Sequence, residues 1–156
     1  MFVEVKDIAG LLLPGQTLLG LDLGSKTIGM AISDPAMRIA SPIGTVKRTK
    51  FTKDMAELAK KIELHNVGGL IFGMPLNMDG TQGPRAQSTR QFAWNLKHNG
   101  MDLPVALWDE RLSTVAVERV LIEQADMNRK RRSEVVDKAA ASYILQGALD
   151  FIIETM

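Results

Sequence analysis

The stretch LLGLDLGSKTIGMAISD, Leu18 to Asp34, constrains the fold of this chain more than any other. Residues 18–23 and 28–33 are apolar enough for two strands, and the GSKT between them supplies the glycine and polar side chains of a tight reversal. A hairpin this apolar has to lie inside a sheet, yet it carries a carboxylate. Period-two alternation sends Leu19, Leu21 and Leu23 to one face and leaves Asp22 on the other, beside Leu18 and Gly20. One ordinary explanation is that Asp22 binds turn amides in the GSKT that follows. Other acids in the chain decide whether that is sufficient.

The remaining pattern extends the hairpin into a sheet. Arg38 to Arg48 reads as a third strand, placed at an edge by Pro42, which has no amide to donate to a ladder. From Thr52, taken as an N-cap, Met55, Leu58, Ala59 and Ile62 recur at helical spacing until His65 and Asn66. VGGLIFG, Val67 to Gly73, is a continuous apolar run expected of a strand covered on both faces. A loop, MPLNMDGTQGP, leads into a helix from Pro84 to Asn99-Gly100 that buries Phe92 and Leu96. A strand over Leu103 to Trp108, a helix over Ser113 to Ala125 and a last helix over Ser133 to Ile153 complete the order. A hairpin unit followed by strand-helix alternation predicts an α/β fold, a mixed five-stranded sheet with helices on both faces. No repeat or linker divides the 156 residues, so a single domain is expected, with residues 1–17 as an N-terminal extension.

Two further acids stand where apolar residues are expected. In the last helix Glu134, Lys138, Ser142, Gln146 and Asp150 make a polar stripe, but Asp137 shares its stripe with Ala141, Ile144 and Ala148. The helix dipole accounts for an acid near this end, not for its place on the apolar face. In WDERLST, alternation gives Asp109 and Glu110 opposite faces, so one can turn toward the site while the other pairs with Arg111, the commoner fate of a strand-end acid. Carboxylates from two strand ends and one helix, aimed at one region, repel one another unless cations lie between them. Oxygen ligands of this kind favour magnesium or manganese, and two such ions about 4 Å apart can activate water and stabilise the leaving oxygen of a phosphodiester. His65 and His98 sit at predicted helix C-termini, where they meet the dipole, and a serine-histidine triad is disfavoured.

Composition removes other classes. With no cysteine there is no disulfide framework, thiol nucleophile or cysteine-zinc site, which suits a reducing compartment. A net charge of +1 means that attraction to nucleic acid has to come from local clusters. The start, MFVEVKDIAGLLLPG, has no apolar run long enough for a signal-peptide core or a membrane span, and a soluble cytoplasmic protein is expected.

Four motifs in order, GLDLGSKTIGMAISD, GMPLNMDGTQGPRAQSTRQFAWNL, LWDERLSTVAVERVL and RKRRSEVVDKAAASYILQGALD, resemble the YqgF family of bacterial nucleases, also called RuvX-type Holliday junction resolvase-like proteins. The likeness runs from Leu18 to Asp150. It implies a ribonuclease H-like fold, with Asp22, Glu110 and Asp137 as catalytic and metal-binding residues, and so prefers Glu110 to Asp109. It also implies an endonuclease that matures the 5′ end of pre-16S ribosomal RNA or, by likeness of fold, resolves branched DNA. Many relatives carry Arg after the lysine of the first motif, where this chain has Thr27, which places a basic contact at that corner in question.

The expected substrate contacts are the basic run Arg129, Lys130, Arg131 and Arg132 just before the helix of Asp137, Asn77 in the loop after the fourth strand, Arg85 and Arg90 at the start of the next helix, Arg111 and Lys26. Trp108, beside the acids, is the one aromatic expected to reach a base. Rival readings are a nucleic-acid-binding module that does not cleave, and an actin-like or sugar-kinase ATPase, which needs two lobes where this chain has room for one. No feature fixes an oligomeric state.

Overall fold

The computed structural model describes residues 2–112 and 129–156, the side chains of 129–138 excepted. Its centre is a mixed sheet of five strands, β1 (Thr17–Leu23), β2 (Thr27–Ser33), β3 (Ala40–Lys47), β4 (Val67–Met74) and β5 (Val105–Asp109), in the order β3-β2-β1-β4-β5. β2 runs antiparallel to β1 and β3 antiparallel to β2, while β4 and β5 run parallel to β1 and to each other. Pro42 lies in β3, the expected edge strand, beside a register shift opposite Met30 and Ala31. The ladder tolerates a residue without an amide hydrogen there.

Alternation along β1 divides the core in two. Leu19, Leu21 and Leu23 join Leu70 and Phe72 of β4, and α2 (Phe51–Leu64) and α3 (Pro84–His98) cover this face with Leu58, Phe92 and Leu96. Leu18 joins Ala31, Ile71, Ala106 and Trp108 on the other face, under Ala141, Ile144, Leu145, Ala148 and Ile152 of a long C-terminal helix, Arg129–Glu154. That helix lies across β1, β2 and β3. The α/β class and the placing of helices on both faces are as the sequence predicts.

Several boundaries differ from expectation, each for a local reason. The third strand starts at Ala40 rather than Arg38, because Asp34 folds residues 34–39 into a turn, accepting bonds from the Arg38 and Ile39 amides at 2.8 Å. Thr52 is not the N-cap of α2. Lys50 holds that position without a side-chain cap, and the buried Asp54 reaches back to the Thr49 amide at 3.0 Å. The C-terminal helix starts at Arg129, not Ser133, so Arg129 to Arg132 form its first turn instead of a run ahead of it. The helix expected over Ser113 to Ala125 lies outside the described residues.

Ahead of β1, a short helix, α1 (Val5–Ile8), buries Val5 and Ile8 in the cluster under the C-terminal helix, and the Val3 amide bonds the Val105 carbonyl at 2.9 Å. Val3 thus lines the outer edge of β5, while Val5 and Ile8 belong to the core. The C-terminal helix is α4 hereafter. No helix among the described residues is long and apolar enough to cross a membrane.

Candidate active site

Asp22 sits near the end of β1 on the α4 side of the sheet, paired with Gly29 on β2 and 2 % exposed. On its other side the ladder with β4 pairs Leu21 with Phe72, so one step further brings Gly73 alongside Asp22. Gly73 in turn pairs with Trp108 of β5. Two residues beyond Trp108 the chain leaves the sheet in a 3-10 turn (Glu110–Leu112), and Glu110 is folded inward, 5 % exposed. Glu110 Oε2 lies 3.1 Å from the point a Cβ on Gly73 would occupy. Two buried carboxylates thus flank a strand position with no side chain, at the carboxyl ends of three parallel strands, where open α/β sheets bind ligands.

Glycine at this position has a packing reason. A Cβ on Gly73 would lie 2.9 Å from Ile144 Cγ1 of α4, and one on Gly20 would lie 2.7 Å from Leu145 Cβ and 3.3 Å from the Ala141 carbonyl oxygen. Both glycines let α4 approach the sheet closely on the face that carries Asp22. Asp137 lies in α4 one turn before Ala141, on the helix expected to carry it, and its side chain falls outside the described residues. Among the described residues, no three His, Asp or Glu side chains gather as an ion site. The sequence signal for Gly73 and Gly20 is a glycine inside an apolar strand, which marks close approach of another element but by itself names no site.

Asp109 and Glu110 divide their work as alternation suggested. Asp109 is held in a two-pronged pair by Arg111, Nη2 to Oδ2 at 2.7 Å and Nε to Oδ1 at 3.0 Å, and accepts the Arg111 amide at 3.0 Å. These bonds keep the Asp109 carboxyl below the usual aspartate range and raise Arg111 further. Arg111 Nη1 also donates to the Met78 carbonyl at 3.1 Å, so the guanidinium joins the end of β5 to the loop after β4. That loop is closed on itself: the Asn77 amide bonds the Thr81 carbonyl at 2.9 Å, the Gly80 amide bonds the Asn77 carbonyl at 2.8 Å, and Asp79 accepts from Thr81 Oγ1 at 2.7 Å. Gly80 has φ +88°, a conformation that favours glycine. The Thr81 bonds hold Asp79 below the usual aspartate range.

The expected substrate residues are spread around this end of the sheet. Arg85, in the first turn of α3, places Nη2 3.9 Å from Asp22 Oδ1 and 3.3 Å from the Leu23 carbonyl, with half of its side chain exposed. Arg90 is exposed beside Gln82, its Nε 3.3 Å from Oε1. Lys26 is exposed in the β1-β2 turn, and its carbonyl accepts the Arg48 amide at 2.8 Å. Asn77 is exposed and bonds Thr81 Oγ1 at 3.0 Å. Arg111 is turned to protein partners. The side chains of Arg129 to Arg132 lie outside the described residues. Trp108 does not reach a base: it is 5 % exposed and packs on Phe151 at 5.6 Å between ring centroids, because its place in β5 points it into the core under α4.

A family model described as "RuvX: Holliday junction resolvase" matches residues 16–151. A Phenylobacterium zucineum protein named "Putative pre-16S rRNA nuclease" is 53 % identical over 148 residues, covering 95 % of each chain. A protein of the same name from Jannaschia sp. is 57 % identical over 152 residues, 96 % of this chain and 94 % of its own. Among solved structures, T. thermophilus RuvC in complex with a Holliday junction substrate superposes with a TM-score of 0.55 at 10 % identity, over 90 % of this chain and 98 % of that one. The last likeness is one of fold, the ribonuclease H-like arrangement expected from the sequence. The match over most of its length and the relatives at more than half identity place this chain in the RuvX family.

Proposed function

We propose that this protein is a divalent-metal-dependent endonuclease that hydrolyses phosphodiesters in the 5′-end processing of pre-16S ribosomal RNA. The observation that carries the reading is the pair of buried carboxylates, Asp22 and Glu110, brought from two strand ends to either side of Gly73. The relatives' shared name supplies the substrate class. Residues 1–156 act as one domain in this reading, since Val5 and Ile8 of the extension pack in the same core.

The donor set suits magnesium or manganese. Both described acids offer hard oxygens, both are withdrawn from bulk water, and the missing side chain at residue 73 leaves room for the Glu110 carboxylate beside the strand, next to Ile144 of α4. Asp22, Glu110 and Asp137 would hold the metal, two ions in the fullest form of the site. When bound, such ions lower the pKa of a water and neutralise charge on the leaving oxygen. The chain's own residues do the rest. Asp22 stands near the end of β1 and Glu110 in the turn directly after β5, both buried against the sheet, so their positions are set before substrate arrives. Arg85 offers an exposed guanidinium beside Asp22, placed to hold a phosphate next to the scissile one. Arg90, Lys26, Asn77 and the basic first turn of α4, Arg129 to Arg132, extend this contact along the strand.

The test is cleavage of precursor ribosomal RNA over a magnesium or manganese titration, with Asp22→Asn as control. Asp22→Asn should bind RNA and not cut it. An Asn variant that cuts as fast as the parent would refute the assignment, and a parent that binds without cutting would leave a non-catalytic binding module. A four-way DNA junction is the second substrate to try, because the matching family model is described as a Holliday junction resolvase.

A further inference from the structure

We propose that Met78 and Leu112 form an apolar rim that takes the face of an unpaired nucleobase next to the scissile phosphate. The proposal rests on the nuclease reading and names the part of the substrate which that site accepts. Met78 is 94 % exposed and Leu112 is 67 % exposed. A single exposed apolar side chain needs no explanation, but these two are presented by one braced unit. Arg111 donates to the Met78 carbonyl at 3.1 Å, grips Asp109 at 2.7 Å, and is the chain neighbour of Leu112. The loop is braced from within as well, by the bond of the Asn77 amide to the Thr81 carbonyl at 2.9 Å. Met78 is therefore held on a backbone that is set in advance, and Leu112 directly follows the arginine that braces it.

Their place in the chain ties them to the acids. Leu112 follows Glu110 by two residues in the same 3-10 turn, and Met78 follows Gly73 by five along the loop from β4. The adjacent acid, Asp79, is occupied by Thr81 at 2.7 Å. A nucleotide offers two chemistries, a charged backbone and an apolar base face. Arg85 and the acids deal with the first, and a methionine and a leucine suit the second, as side chains that proteins insert beside or between bases. In a duplex the base faces are already stacked. An apolar rim at the cut therefore selects a strand whose base there is unpaired.

The test uses the full chain carrying Asp22→Asn, so that no cleavage intervenes, and a hairpin RNA with 2-aminopurine as its first unpaired nucleotide beside the duplex. A DNA hairpin of the same sequence is the second arm. Binding of the RNA should raise 2-aminopurine emission as the base leaves its neighbours. Met78→Ala with Leu112→Ala, added to that background, should abolish the rise and weaken binding about tenfold, while affinity for a fully paired duplex stays within about twofold. Met78→Leu should restore most of the rise. Both positions are exposed, and an unchanged thermal midpoint confirms that the fold is intact. A rise with RNA alone or with both nucleic acids supports the rim and assigns the sugar it accepts. A double variant that binds and responds like its Asp22→Asn parent overturns it. Cleavage by the unaltered chain is read separately: a double variant without effect while the unaltered chain cleaves refutes the rim alone, and a rim effect without cleavage refutes the nuclease reading alone.

Discussion

Gly73→Ala puts one methyl group between the two parts of the site that matter most. The new Cβ would stand 2.9 Å from Ile144 Cγ1, closer still to Ile144 Cδ1, and 3.1 Å from Glu110 Oε2, where ordinary carbon contacts begin at about 3.5 Å. Ile144 of α4 is fully buried against the sheet, so its side chain has no free direction in which to move. Overpacking of this kind costs about 1–3 kcal/mol, and for a chain of this length about 2 kcal/mol lowers the thermal midpoint by roughly 4–8 °C. Ile144→Val removes the nearer methyl and costs about 0.5–1.5 kcal/mol by itself. In the double variant the two changes should offset each other, leaving it more stable than the sum of the singles by about 1 kcal/mol. Urea unfolding of the four proteins, with m unchanged, measures this coupling. Activity should behave differently. The valine relieves the helix but not the Glu110 carboxylate, and a carboxylate misplaced by about 1 Å can lower the rate roughly 100-fold, so cleavage should stay low in the double variant while stability recovers. Strict additivity, or a Gly73→Ala protein as stable as its parent, would refute the packing of α4 on Gly73.

Two other variants probe the charges around the acids. Arg85→Ala should weaken RNA binding at all sequences alike and reduce the slope of log K against log salt by about one, measured by filter binding from low to moderate salt. An unchanged slope would remove Arg85 from the phosphate path. Asp109→Asn breaks the pair with Arg111 and should destabilise the protein by about 1 kcal/mol or less near neutral pH, since both side chains are partly exposed and screened. The sign follows from the lowered folded pKa of Asp109: its stabilisation is present above the ordinary aspartate value of 3.8 and is lost as pH falls through the lower folded value. Parent and variant should therefore differ in stability by a constant amount between about pH 5 and 8 and converge in acid; a difference that persists in strong acid would place its source elsewhere.

Much of the architecture was legible because burial writes a period into the chain. Leu19, Leu21 and Leu23 alternate with Leu18, Gly20 and Asp22, and that alternation placed Asp22 on the α4 face without coordinates. The two helix ends at His65 and at Asn99-Gly100 were legible for a related reason, since Asn66 and Gly100 take the positive φ that ends a helix, at 52° and 94°. Boundaries decided by side chains were less so. Asp54 rather than Thr52 organises the start of α2, because a reach-back bond from the first turn has no signature distinct from a cap. The nearness of Trp108 to Asp109 in sequence suggests exposure, whereas its strand pairing with Gly73 directs it inward.

Spacing along one element was enough to give the alternating faces, the order of strands and helices, and the acids that stand against the apolar pattern. Which strands become neighbours is a property of the whole packed sheet, and spacing carries no record of it. That packing brought Gly73 between Asp22 and Glu110, gave Asp109 to Arg111, and drew Arg111 from the expected substrate contacts into a brace between two loops.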